Sequence, residues 1–296
     1  MKRLAAMAGL VAMSCTPPES VPGLGLDLAL RVHGGQLRDG GLPPDEGGPA
    51  VSQVMRPQPE VARGEGTVVL SGRLGPDGVA LHLHAKGDRA HWVLLPKGFD
   101  FVVTDELLWD AELGFSHAIV GDRLVVELQA ADEDGRRGPI REVEFELADD
   151  VPPAQLLVSL GWDAPVDLDL HVELPDGTIV GAKSPTSLMP APGQVLPADA
   201  WMDAAVFPFD ANQQCHLDLR NREDVVWASA PDPGTYRVYA HLFSACESDA
   251  VGFEATVQLG GRTIAEAEGR QYAFDAREHP VDGEAPGLLI AEFEVP

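Results

Sequence analysis

The chain has 296 residues, 45% apolar and 23% charged, which is about two ordinary domains with enough apolar side chains to bury real cores. Lys plus Arg is 21 against 47 Asp plus Glu, a formal charge of −26 that repels a phosphate backbone and excludes general nucleic-acid binding. Gly (31) and Pro (25) are abundant, aromatics are 6% and long amphipathic helical periods are scarce, which removes helical bundles, disfavours a doubly wound sheet and leaves an all-β, loop-rich chain.

Residues 1–14 carry Lys2 and Arg3 ahead of a ten-residue apolar run at 4–13. That run is too short for a transmembrane helix, which needs ~20 residues, and has the length of a signal-peptide core. Ser14-Cys15 follows, and the stretch resembles a bacterial lipoprotein signal, cleaved before a cysteine that then takes a lipid. The resemblance implies a signal peptide at 1–14, lipidation at Cys15 and a membrane partner reached through that lipid. Thr16 rather than Asp after the cysteine implies the outer membrane of a Gram-negative envelope. With Cys15 lipidated, Cys215 and Cys246 remain as an even pair in an oxidising compartment and are expected to form a disulfide, two separate buried thiols being the alternative.

Residues 15–50 are rich in Gly, Pro and Asp and read as a flexible tether, with a weak alternation at 26–32 as a stray strand. From 51 to 150 the pattern becomes period-two. Val79, Leu81 and Leu83 oppose His82 and His84; Leu124, Val126, Leu128 and Ala130 oppose Glu127 and Gln129; Val143, Phe145 and Leu147 oppose glutamates. Such alternation marks half-buried antiparallel strands, and Gly75-Pro76-Asp77-Gly78 and Asp134-Gly135 supply turns. The run from Leu107 to Gly135, closing on Ala-x-Asp-x-x-Gly, resembles the late strands of bacterial immunoglobulin-like domains.

Adjacent Pro152 and Pro153 break any ladder and mark a boundary, so 151–296 forms a second β-sandwich. Strands are expected at 156–160, 167–173, 236–242, 253–259 and 288–295, with a proline-rich irregular excursion at 183–200. In Asp167-Leu168-Asp169-Leu170-His171-Val172 the apolar residues share one face and the two carboxylates the other, about 6.5–7 Å apart. Hard oxygen ligands suit Ca²⁺, which takes six to eight of them. Asp210, Asn212, Asp218 and Glu223 are the further candidate ligands from later loops. A solvated acidic face is the alternative.

The motif W-D-x-x-x-D-L-D-L-H-V-x-x-P-D-G at 162–177, followed by P-G-T-Y-R-V at 233–238, resembles the bacterial pre-peptidase C-terminal domain. With Phe209-Asp210-Ala211-Asn212-Gln213-Gln214-Cys215 between them, these segments also resemble a family of Gram-negative lipoproteins. The resemblance covers about half the chain. It implies a jelly-roll-like sandwich of an accessory, glycan- or surface-binding kind, some of which bind calcium; with the immunoglobulin-like first half, the chain is expected to form two tandem antiparallel sandwiches.

His82, His84 and His91, with His117 further on, are a weak zinc set, read more simply as polar residues on an outward face. Gly114-Phe115-Ser116-His117-Ala118 is one residue short of G-x-S-x-G and lacks its strand–turn–helix context. The reading is therefore a non-catalytic binding or display protein. A purely structural envelope component and, more distantly, a hydrolase are the alternatives.

Overall fold

The computed structural model describes residues 24–56, 58–99, 105–191, 193–197, 199–218, 220–278 and 286–296. The leader at 1–14, Cys15 and the start of the tether lie outside the described residues. Within them the chain is all-β, with no α-helix and no helix long and apolar enough to cross a membrane.

The first strands are β1 (Leu30–Val32), β2 (Gln36–Asp39), β3 (Val51–Met55), β4 (Glu60–Val61), β5 (Val68–Leu74) and β6 (Ala80–Ala85). They are followed by β7 (Ala90–Leu94), β8 (Gly98–Phe99), β9 (Leu107–Phe115), β10 (Arg123–Ala131) and β11 (Arg141–Leu147). They form one sheet ordered β1-β9-β5-β3, with β8 beside β9, and another ordered β2-β7-β6-β10-β11-β4. All pairings here are antiparallel except the two-residue contact of β4 with β11. Leu70, Leu81, Leu83, Leu113, Val126, Leu128 and Phe145 fill the core between the sheets.

Next come β12 (Leu156–Trp162), β13 (Asp167–Glu173), β14 (Ile179–Val180), β15 (Ala205–Val206) and β16 (Arg222–Trp227). The chain finishes with β17 (Gly234–Ser244), β18 (Ala250–Leu259), β19 (Arg262–Tyr272) and β20 (Leu288–Val295). The orders are β15-β16-β12-β18-β19 and β14-β13-β17-β20, over a second core built on Trp162, Leu168, Leu170, Tyr236, Val238 and Phe253. Among the described residues no sheet closes into a barrel, so the architecture is a set of packed open sheets. The 183–200 excursion is irregular over its described part, held by isolated bridges from Gly181 to Ser184 and Thr186 to Val206.

The tether expectation fails over residues 24–50. Leu26, Leu28, Leu30 and Val32 are at most 3% exposed, and the last three belong to the first core. Four apolar side chains at period two bury like any half-buried strand, and averaging composition over 15–50 dilutes that signal. Ala29 and Leu30 N–H groups donate to the Asp88 carboxylate, Trp92 Nε1 donates to the Leu30 carbonyl, and Leu24 N–H donates to Glu254 Oε2. Leu26 also packs on Gly161, where a Cβ would stand 2.8 Å from its methyl group. The second half of the segment is docked too, since Gln129 Nε2 donates to the Pro43 carbonyl and Glu46 N–H to that of Arg137.

That docked segment corrects the histidine reading as well. His82, His84 and His91 lie on the sheet face away from the core, yet are 4–7% exposed. The 36–50 stretch lies over them: His91 Nδ1 meets the Gly40 carbonyl at 2.8 Å and Gly41 lies against the His84 ring. They do not converge as metal ligands. His84 is held by Glu127 and the Asp88 carbonyl, and Arg137 donates to His82 Nε2. Burial, with Arg137 beside it, lowers His82 to about 3. An imidazole kept neutral in the fold but protonating near pH 6.5 when unfolded makes the unfolded state bind more protons. His82 therefore contributes stability that is lost as the pH drops from 6.5 towards 3. His82→Gln is expected to flatten the curve of urea midpoint against pH in that window; an unchanged slope excludes His82 as its source.

Candidate metal centre

In β13 the alternation puts Leu168, Leu170 and Val172 in the core and Asp167, Asp169 and His171 on the opposite face. That opposite face is not the solvated one offered as the alternative: Asp167 is 2% exposed and Asp169 and His171 are each 8% exposed. Asp167 is covered by the 3₁₀ turn at Gln213–Cys215, whose Gln214 N–H donates to Asp167 Oδ2 at 2.6 Å. A Cys215–Cys246 disulfide, with Cα atoms 5.5 Å apart, ties this turn to the chain just after β17. Asn212, Gln214 and Cys215 all have left-handed φ, 58°, 50° and 62°, a costly run for residues other than glycine.

The expected ligands divide by what their oxygens already do. Asp167, Asp169 and Asp210 each offer a carboxylate oxygen, and the three atoms lie within 4.8 Å of one another. Asp210 Oδ2 accepts from Gln213 Nε2 at 2.8 Å, while its Oδ1 is buried without a hydrogen-bond partner. Asn212 is turned away from this group: its Nδ2 donates to the Val166 carbonyl and to Asn221 Oδ1, and its Oδ1 accepts from Asp218 N–H. Asp218 closes the same loop by accepting from Asn212 and Arg220 N–H groups. These two fasten the loop rather than face an ion.

Glu223 has a third role. It alternates with Val225 and Trp227, so its side chain enters the second core and is 1% exposed. Its Oε2 accepts the Leu170 N–H at 2.7 Å, on the edge of β13 that two-residue β14 does not reach. Its Oε1 accepts the Ala211 N–H at 3.0 Å. One carboxylate thus replaces a missing strand partner and seats Asp210, and these bonds occupy both of its oxygens.

The electrostatics are one-sided. Burial, then the Asp169 charge, pushes Asp167 up to about 7. The same two causes raise Asp210, and they hold Glu223 well above the usual carboxylate range. Among the described residues no Lys or Arg forms an ion pair with any of the four carboxylates; the nearest positive candidate is His241, its Nδ1 3.4 Å from Asp169 Oδ2. Charges buried without partners neutralise or recruit a cation. An ion with ligands at 2.3–2.6 Å sits inside donors up to ~5 Å apart across it, which fits Ca²⁺ better than a small tetrahedral ion.

Sequence reasoning had no reason to single out His241. It stands opposite Asp169 across the β13–β17 register, a pairing no local pattern specifies. Ser116, in the near-match to a hydrolase motif, spends its hydroxyl accepting the Ala118 N–H in a turn. No protein-family model matches the chain, and no curated protein matches it.

Proposed function

We propose that the protein is a lipid-anchored, non-catalytic binding or display protein of the outer membrane, whose second pair of sheets holds Ca²⁺ on Asp167, Asp169 and Asp210. The observation that carries this reading is Asp210, which has a buried carboxylate oxygen without a hydrogen-bond partner and brings a carboxylate oxygen within 4.8 Å of those of two further buried acids, with no Lys or Arg among the described residues paired to any of the three. The ion's role is to fix the loop between β15 and β16, so that the surface it presents to a glycan or an envelope protein has one shape. Lipidation at Cys15 rests on the charged start, the apolar run and Ser14-Cys15.

Three carboxylates with carbonyls or water completing the shell give affinities on the order of 10⁻⁴–10⁻³ M, as in extracellular modules. At 100 Kd the expected stabilisation is ~2.7 kcal/mol, several degrees in melting temperature. Melting of the full chain with Ca²⁺, Mg²⁺ and matched NaCl tests it. Asp210→Asn is expected to abolish the Ca²⁺ response while leaving the metal-free protein as stable or more so, because it removes a repelled charge. A shift that Mg²⁺ or NaCl reproduces identifies a screened acidic face and overturns the calcium assignment.

A further inference from the structure

Beside the acidic group lies a set of donors with different chemistry. One oxygen of Asp169 and one ring nitrogen from each of His171 and His241 lie within 4.8 Å of one another, and all three residues are buried. Cross-strand pairing explains the meeting: Asp169 is opposite His241, and His171 follows two residues along the same face of β13. Gly181 gives the His171 ring its seat, because a Cβ there would stand 2.6 Å from the ring's Cδ2.

His241 Nε2 meets the Arg277 carbonyl at 2.8 Å, and a carbonyl can only accept, so this nitrogen carries the ring proton. In the neutral ring, Nδ1 then presents a lone pair, and it faces Asp169 Oδ2 at 3.4 Å. A lone pair facing a carboxylate is repulsive unless a positive charge lies between them. One such charge is a second proton on the imidazole; the other is a metal ion. His171 favours the ion. It is only 8% exposed, its Nδ1 is buried without a hydrogen-bond partner, and its ring centroid is 5.7 Å from that of His241. A proton between His241 and Asp169 does nothing for His171, whereas an ion takes one nitrogen from each ring.

We infer that Asp169, His171 and His241 bind a divalent transition ion of the zinc class, at a site adjoining the proposed calcium site and sharing only Asp169 with it. Imidazole nitrogens select such ions over Ca²⁺, which prefers oxygen. Bonds of ~2.0–2.1 Å in a tetrahedral shell place ligand atoms roughly 3.3 Å apart, close to the Asp169–His241 separation. The Arg277 carbonyl is the outer partner that fixes the tautomer, as metal-bound histidines require.

The experiment titrates the full chain carrying Cys15→Ser, which removes the third thiol as a competing ligand, with Zn²⁺ and separately with Co²⁺. Saturating Zn²⁺ is expected to raise the melting temperature by ~5 °C, with Co²⁺ developing visible d–d absorption. His171→Gln and His241→Gln are each expected to weaken Zn²⁺ at least ~10-fold while keeping the Ca²⁺ response, and Asp210→Asn is expected to do the reverse. The two sites therefore fail separately. A Zn²⁺ response that survives in the double histidine variant overturns the assignment. So does a parent chain without Co²⁺ absorption, an outcome that decides the matter even where a variant does not fold and that leaves a proton between His241 and Asp169.

Discussion

Replacing Arg63 with alanine is expected to cost roughly 3–5 kcal/mol, read as a fall in urea midpoint, although the residue touches neither metal group. Its guanidinium is 7% exposed and pairs with no carboxylate among the described residues. Instead it donates to four carbonyls: Ile119 at 2.8 Å, Ala148 at 3.1 Å, Val151 at 2.6 Å, and Gly121. Ala148 and Val151 belong to the connection between β11 and β12, so one side chain fastens the passage from the first pair of sheets to the second. Removing it strands one buried and three part-buried acceptors at once, and a desolvated carbonyl without a donor costs ~1–3 kcal/mol, with rehydration of the part-buried ones bringing the sum down. Arg63→Lys should recover less than half of the loss, because a single ammonium cannot span four divergent carbonyls. Proteolysis of the alanine variant should open first at 148–153. An unchanged midpoint together with an unchanged cleavage pattern would show that the carbonyls find other donors.

Much of the strand pattern was legible, and the reasons it stopped being legible are physical. Leu81 and Leu83, Val126 and Leu128, and Phe145 and Leu147 alternate over enough residues for their faces to be read one strand at a time, and all six are buried in the first core. β19 is hard to read, because it lies at the edge of its sheet and its inward apolar side chains are only the small Ala265 and Ala267, alternating with exposed Glu266 and Glu268. The turn before it, Gly260-Gly261 with φ of 55° and 74°, was the available signal of a hairpin. The alternation divides β13 into two faces and offers its acidic face to a cation or to solvent, but it does not say how deeply that face is covered. What covers that face comes from residues 213–215, and what faces Asp169 comes from His241, and neither distance along the chain leaves a local trace. Glu223 is the instructive case. Glu223, Val225 and Trp227 alternate as plainly as any strand, so its place inside the core was readable, yet its carboxyl chemistry drew the metal reading instead.

Removing the disulfide is expected to lower stability by about 3–4 kcal/mol, from the closure of a 31-residue separation in the chain-entropy model. The double variant Cys215→Ser/Cys246→Ser isolates that effect, since both positions are half-buried and accept a hydroxyl without a new void. The more telling consequence is at the acidic site. Cys215 ends the turn whose Gln214 N–H holds Asp167, and that turn follows directly on Asp210 and Asn212. The Asn212 amide anchors one end of this loop to Val166 and Asn221, and the disulfide anchors the other to the chain beyond β17. Released at one end, a segment with three left-handed non-glycine residues relaxes towards ordinary backbone, and Asp210 is no longer held near Asp167 and Asp169. Calcium then has to reorder the loop as it binds, at a cost of ~1–2 kcal/mol per residue fixed, so about a tenfold rise in Kd is expected. Calorimetric titration with Ca²⁺ on the folded double variant, below its lowered melting temperature, reads this directly. An unchanged Kd with the expected loss of stability would mean that the Asn212 clamp alone positions Asp210 and that the disulfide serves the fold and not the site.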